Sequence, residues 1–171
     1  MARDLGCVME PVTEWIRHRF PSVRYLGSDA VEKLLREERE RLLVLDVRSL
    51  AEYEVSHLEG AVRIDPETTD MEKMVKELGL AGDLKDKELV CYCTAGYHGS
   101  EMAQKLQQAL ASGPEQPGHD CPVVYNLEGG LAKWANERKP IVDGKEQPTH
   151  LVHPYNKVWA ELVEPEFRAP I

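Results

Sequence analysis

Short, almost wholly apolar segments alternate with segments of helical periodicity, and this alternation restricts the fold more than any other feature. The apolar segments cover residues 42–47, 61–64, 88–93 and 123–126. Runs so short and so apolar are typical of strands that are covered on both faces. Helical spacing separates them, over residues 71–78, 100–111 and 131–137. Strands that alternate with helices predict an α/β fold with parallel pairing, right-handed crossovers and helices on both faces of the sheet.

The chain is expected to form one domain with a short segment at each end. Its 171 residues can bury one substantial core but not two. Residues 1–22 are assigned to a helical N-terminal extension, because the helical spacing there stops at Pro21. Residues 23–142 form the main domain, and the aromatic residues of 143–171 suggest a tail that docks back onto it.

The charge balance argues against polyanionic partners. The chain has 21 basic and 30 acidic residues, a formal charge of −9, and no basic stripe that could follow successive phosphates. We therefore expect no nucleic-acid and no membrane partner. Because no apolar run approaches the roughly 18–20 residues of a membrane span and no positive patch precedes an apolar stretch at the N-terminus, the expected location is cytoplasmic.

Four cysteines occur, at positions 7, 91, 93 and 121. In an intracellular chain of this size they are expected to be free thiols rather than a disulfide framework. Cys91 and Cys93 are two residues apart on one strand, which places their Cα atoms roughly 6.6 Å apart. This distance is near the outer limit for a disulfide, so no bond between them is expected. His150 and His153 are spaced like metal ligands, but two ligands are too few, and we predict no metal site.

Cys93 is the candidate nucleophile because of its place in the pattern. It ends an apolar strand, and ligands of parallel α/β sheets bind beyond such ends. The following residues are Thr94, Ala95, Gly96, Tyr97, His98 and Gly99, and a helix is predicted from Ser100. A loop of this kind can direct several backbone N–H groups and a helix dipole at the sulfur. Such surroundings can lower the pKa of a thiol and give a thiolate at neutral pH.

A second interpretation of Cys93 stays open on the residues alone. Free cysteine is often a small buried apolar residue, and a helix start can cradle a strand end without any function. Cys91 lies inside the strand, where core packing is the expected role.

Three blocks in order resemble the rhodanese-like domains, over residues 23–142. The first block is Leu45-Asp46-Val47-Arg48 continuing to Ala61, the second is Val90 to Tyr97, and the third is Tyr125 to Trp134. The resemblance implies a central parallel five-stranded sheet with helices on both faces. It also implies that Asp46 and Arg48 are buried scaffold residues rather than catalytic ones, since a paired buried ion is the commoner explanation.

The same resemblance implies a single-domain sulfurtransferase of the thiosulfate sulfurtransferase type. Cys93 would take sulfane sulfur from thiosulfate or a persulfide, become a persulfide, and pass the sulfur to a thiol or to cyanide. Residues 94–99 would bind the substrate. No cofactor is implied, the partners are a small-molecule donor and a thiol acceptor, and we expect a monomer. The physiological donor and acceptor are left open.

Two departures from the family pattern lie in the loop. Many members have Arg where this chain has His98 and Ser where it has Gly99. An imidazole holds an anion less firmly than a guanidinium, so thiosulfate is expected to be a poor donor; His98 could equally be a solvent-facing loop residue. A phosphatase on the same architecture would need Arg at the position of Gly99. A non-catalytic binding module of the same fold is the alternative from another class.

Overall fold

The computed structural model describes residues 6–77, 88–112, 123–157 and 159–170. Six α-helices and seven strands occur within these residues. The helices are α1 (Gly6–Arg19), α2 (Ser28–Glu37), α3 (Leu50–Val55), α4 (Met71–Glu77), α5 (Tyr97–Ser112) and α6 (Gly130–Asn136). The strands are β1 (Arg24–Leu26), β2 (Leu42–Asp46), β3 (Val62–Arg63), β4 (Glu88–Tyr92), β5 (Val123–Leu127), β6 (Ile141–Val142) and β7 (Pro148–Thr149).

Five of the strands form one parallel sheet in the order β1-β5-β4-β2-β3. The predicted α/β class and the five-stranded parallel sheet are therefore confirmed. β4 is central and pairs with both β2 and β5. Its carboxyl end, where Cys93 follows, lies in the middle of the sheet edge at which parallel α/β proteins bind their ligands.

The central strands send alternate side chains into two apolar cores. Val44 and Val90 pack on one face with residues of α2 and α6. Leu45 and Leu89 pack on the other face with residues of α4 and α5. Cys91 lies fully buried in this second core, as expected for a residue within a doubly covered strand. The predicted placement of helices on both faces is thus observed.

The helix after β4 begins three residues earlier than the sequence pattern predicts. The predicted start is Ser100, whereas α5 starts at Tyr97, and the N–H of Ser100 already bonds the carbonyl of Gly96 at 2.9 Å. Tyr97, His98 and Gly99 are therefore first-turn helical residues rather than loop residues. This places their backbone N–H groups, which have no partner inside the helix, toward the end of β4.

Both terminal segments pack against the sheet domain. Ile16 of α1 and Phe20, which directly follows the helix, are each 2% exposed. The C-terminal segment buries Val152, Val163 and Phe167 in the core that contains α2 and α6. In the part of the chain that the structure describes, no helix combines the length and apolar character that crossing a membrane requires.

Candidate active site

Cys93 lies on the wall of a cleft of about 730 Å³ at the carboxyl edge of the sheet. The residue is 3% exposed, so its sulfur is reached only from this cleft side. The cleft wall also contains the turn from β2 into α3, the segment after β3, and residues from the first three turns of α5. Two aromatic residues of the C-terminal segment, Tyr155 and Trp159, complete it.

Backbone amides surround the Cys93 sulfur. The N–H of Gly96 donates to Sγ at 3.0 Å. The N–H groups of Gly99, Ala95 and His98 also stabilise a negative charge on this sulfur. The cradle expected from the sequence therefore forms, with two of its four amides supplied by the first turn of α5.

Helix α6 explains why these amides turn inward. The N–H of Leu131 donates to the carbonyl of Cys93, and the N–H of Ala132 donates to the carbonyl of Thr94, both at 2.9 Å. Because the two carbonyls are bonded outward to the start of α6, the N–H groups that follow face the sulfur. The approach depends on Gly130, whose φ is +59° and where a Cβ would lie 2.5 Å from both carbonyl oxygens.

A buried polar cluster fixes the far side of the loop. Asn126 Nδ2 donates to the Gly96 carbonyl at 3.2 Å and to Ser100 Oγ at 3.0 Å, and Ser100 Oγ donates to the same carbonyl at 2.6 Å. A Cβ on Gly99 would overlap Asn126 Oδ1, so a larger residue there would require the Asn126 side chain to move. Sequence analysis did not assign Asn126 a role, although a polar residue at the end of an apolar strand is a signal of one.

The expected lowering of the Cys93 pKa is wrong. Burial raises the pKa of Cys93, the N–H groups of the cradle lower it, and burial outweighs them. The net shift of the Cys93 pKa is therefore upward. Sequence alone showed the amides but could not show how completely α5 and α6 shield the sulfur from water. Burial also raises the pKa of Cys91, and in the described residues Cys91 and Cys93 are both free; the side chains of residues 7 and 121 lie outside the described part.

Asp46 and Arg48 form a buried ion pair below the site. Arg48 Nε and Nη2 donate to the two carboxylate oxygens of Asp46 at 2.8 and 2.6 Å. Tyr92 Oη donates to the same carboxylate at 2.5 Å and accepts from the Leu58 N–H at 3.0 Å. Since both charges are compensated within the fold, the arrangement agrees with a scaffold role.

Glu52 is a site residue that sequence analysis missed. It is 4% exposed and lies on the cleft wall. Its carboxylate closes a capping box with Ser49 at the start of α3 and accepts from Thr94 Oγ1 at 3.1 Å. The spacing of Ser49 and Glu52 is a readable capping signal, but its contact with the Cys93 loop required the three-dimensional structure.

The predicted substrate-binding residues take different positions. Thr94, Ala95, Tyr97 and His98 line the cleft, whereas Gly96 and Gly99 contribute backbone behind the sulfur. The Tyr97 ring lies between Trp15 and Phe20, with centroid distances of 5.5 and 5.1 Å. The His98 ring meets the Tyr155 ring edge-on at 5.7 Å. His98 therefore faces the cleft rather than open solvent.

A cysteine cradled by backbone amides at the end of the central strand defines an α/β domain with a single-cysteine site. The chain belongs to the rhodanese-like domain family, whose family model matches residues 28–137.

Curated relatives are similar over a limited part of their own length. A protein named tRNA uridine(34) hydroxylase from Pectobacterium atrosepticum is 28% identical over 116 residues, which cover 68% of this chain and 29% of that protein. One of the same name from Cytophaga hutchinsonii is 37% identical over 102 residues, covering 59% and 28%. The chain thus spans under a third of the length of these relatives.

Solved structures agree on the fold. A thiosulfate sulfurtransferase from Pseudomonas aeruginosa superposes with a TM-score of 0.56 at 20% identity, covering 80% of this chain and 23% of that one. An As-Sb reductase from Leishmania major gives 0.56 at 20% identity, covering 67% and 78%. At such identities the likeness concerns the fold.

Proposed function

We propose that the protein is a sulfurtransferase that carries sulfane sulfur as a persulfide on Cys93. The observation that carries this proposal is the set of four N–H groups around Cys93 Sγ, one of them at 3.0 Å. The residue that carries this sulfur lines a cleft that a donor can enter. Such a cradle stabilises an anion where a neutral buried cysteine would need none. The donor would be thiosulfate or a persulfide and the acceptor a thiol or cyanide.

The reaction consists of two displacements at sulfur. In the first, the Cys93 thiolate attacks the sulfane sulfur of the donor, a new S–S bond forms, and the donor's remaining part leaves with the electron pair of the broken bond. In the second, the acceptor attacks the outer sulfur of the persulfide and Cys93 leaves as thiolate. The amide cradle stabilises the negative charge that appears on sulfur in each half-reaction, and no external oxidant or reductant is needed.

The name of the curated relatives describes an activity on tRNA that we do not extend to this chain. The aligned part is 29% of the Pectobacterium protein. A net charge of −9 also disfavours association with a polyanion. We propose that the shared domain handles sulfur and that this chain uses it on small molecules.

Intact mass spectrometry tests the proposal directly. The reduced protein is incubated with thiosulfate, an organic persulfide or polysulfide, and then with dithiothreitol. We expect a gain of about 32 Da, one sulfur atom, that disappears on reduction.

Two variants assign the site. Cys93→Ser should abolish the gain, whereas Cys91→Ala should keep it, because Cys91 is fully buried in the opposite core. Failure of every donor to load Cys93 would contradict the sulfurtransferase and favour a non-catalytic module.

A further inference from the structure

The charges on the cleft wall are unbalanced toward the acidic side. Four carboxylates line it, those of Glu52, Asp65, Glu67 and Glu101, together with three cations, Arg48, Arg63 and Lys105. The cations do not all act on a ligand. Arg48 is 2% exposed and bonded to Asp46, so its charge is neutralised below the surface. Lys105 Nζ lies 3.8 Å from Glu101 Oε1.

An anionic donor therefore finds few available cations in this cleft. Arg63 is half-buried and donates from Nη1 to the Arg48 carbonyl at 3.2 Å, which leaves part of its guanidinium available. Against it stand the exposed carboxylates of Asp65 and Glu67, while Glu101 and Lys105 cancel and the buried Glu52 interacts with Arg48. The electrostatic field at the mouth of the Cys93 site therefore disfavours the entry of a dianionic donor such as thiosulfate.

The opposite wall is aromatic and comes from outside the family-matched region. Tyr155 and Trp159 lie in the C-terminal segment, beyond residue 137, and line the cleft with Tyr97 and His98. Tyr155 is 46% exposed, which leaves much of its ring free for a ligand.

Hydrogen bonds hold this wall in place. The N–H of Trp159 donates to Asn156 Oδ1 at 2.9 Å, and Asn136 of α6 bonds the Leu162 carbonyl at 2.7 Å and the Glu164 N–H at 2.9 Å. The Tyr155 N–H donates to His153 Nδ1 at 3.1 Å, so an apolar group in the cleft would meet aromatic rings carried by a hydrogen-bonded segment.

We propose that the cleft selects organic persulfides with an uncharged or cationic body and discriminates against dianionic inorganic donors, with Tyr155 as the residue that contacts the donor body. This proposal rests on the sulfurtransferase function and narrows its donor class. In the step, the Cys93 thiolate forms a bond to the terminal sulfur of R–S–SH, the bond between the two donor sulfurs breaks, and R–S⁻ leaves with its electron pair. Cys93 is left as Cys93–S–SH, so atoms and electrons balance.

The test compares the rates at which two donors load Cys93, using the full chain and intact mass as the readout. The donors are thiosulfate, a dianion, and benzyl hydropersulfide, which has a neutral apolar body. Because the two differ in intrinsic reactivity, the informative quantity is how each rate changes between variants rather than the ratio within one protein.

Removing negative charge from the cleft wall should accelerate the loading of Cys93 from thiosulfate and not from benzyl hydropersulfide. The double variant Glu67→Gln/Glu101→Gln should load from thiosulfate about tenfold faster than the wild type, because each lost carboxylate removes repulsion on two charges and Lys105 is released. Loading from benzyl hydropersulfide should change by less than about twofold. Glu72→Gln, on the exposed side of α4 and outside the cleft, is the matched control for both donors.

Salt gives a readout that a merely structural effect would not move. Raising the ionic strength from about 0.01 M to about 1 M shortens the screening length from about 30 Å to about 3 Å. Thiosulfate loading of the wild type should then accelerate, and that of the double variant should accelerate less. Loading from benzyl hydropersulfide, whose body is uncharged, should change much less.

The aromatic contact is tested separately. Tyr155→Ala should slow loading from benzyl hydropersulfide by about tenfold and leave thiosulfate within about twofold, while Tyr155→Phe should retain the wild-type rate for both. Thiosulfate loading that is indifferent to both the glutamate variants and salt would overturn the selectivity while the sulfurtransferase stands. Equal slowing of both donors by Tyr155→Ala would overturn the assigned role of Tyr155. No loading by either donor would instead overturn the sulfurtransferase itself.

Discussion

Replacing Gly130 by alanine probes the junction that orients the Cys93 loop. Gly130 has a φ of +59°, where an L side chain is strained by about 1–2 kcal/mol. An alanine Cβ would also lie 2.5 Å from the carbonyl oxygens of Cys93 and Thr94, which are backbone atoms and cannot rotate away.

The expected cost follows from these contacts. To relieve the overlap, the start of α6 must withdraw and weaken the bonds from the Leu131 and Ala132 N–H groups, each contributing about 1 kcal/mol. Together with the strain, the free energy of unfolding should fall by about 3–4 kcal/mol. The two carbonyls would then be free to turn, so the loop amides would lose their inward orientation.

Two measurements check this reasoning. Urea denaturation gives the change in the free energy of unfolding, and intact mass gives the rate at which a persulfide donor loads Cys93, which should fall at least tenfold in the folded variant. Gly27→Ala is the matched control, because Gly27 has a φ of −72° and a Cβ there would meet nothing within 4 Å. If Gly130→Ala were within about 1 kcal/mol of the wild type and loaded at its rate, the proposed support by α6 would be refuted.

Two further predictions concern the charge state of the site and its foundation. Since burial raises the pKa of Cys93, the thiolate fraction at neutral pH is smaller than for an exposed thiol, and the loading rate should still rise as the pH passes the ordinary thiol value of about 8.5; a plateau below pH 7 in a rate–pH profile would contradict this. Arg48→Met leaves the buried Asp46 carboxylate unpaired and should lower the free energy of unfolding by about 3–5 kcal/mol in urea titrations. The double variant Asp46→Leu/Arg48→Met should recover most of that loss, and a single-variant loss under about 1 kcal/mol would count against the buried pair.

The sheet could be predicted because its signal is local. Segments such as residues 42–47 and 88–93 each contain a single charged residue among apolar ones, a pattern typical of strands covered on both faces. The place of Cys93 at the end of a strand followed from the same alternation, whereas the central position of that strand did not. The number of strands came from the family resemblance, and their order was not predicted, because it depends on pairing across the whole sheet.

The energetics of the site could not be predicted, because they depend on contacts distant in sequence. Leu131 and Ala132 shape the Cys93 loop from nearly forty positions away, and Glu52 reaches Thr94 from α3. The direction of the Cys93 pKa shift was wrong for the same reason, since desolvation is a property of the assembled structure. The early start of α5 could not be predicted either, because a helix boundary depends on which terminal backbone groups form hydrogen bonds in the folded chain.

The Tyr97 ring stacks on Trp15 and meets Phe20 edge-on, which has a practical consequence for how this protein can be truncated. Both partners precede residue 28, where the family match begins, so a shortened chain of residues 28–137 would keep every amide of the cradle and lose the support of its first helical turn. The residues that the family model matches are therefore fewer than the residues that support the Cys93 site.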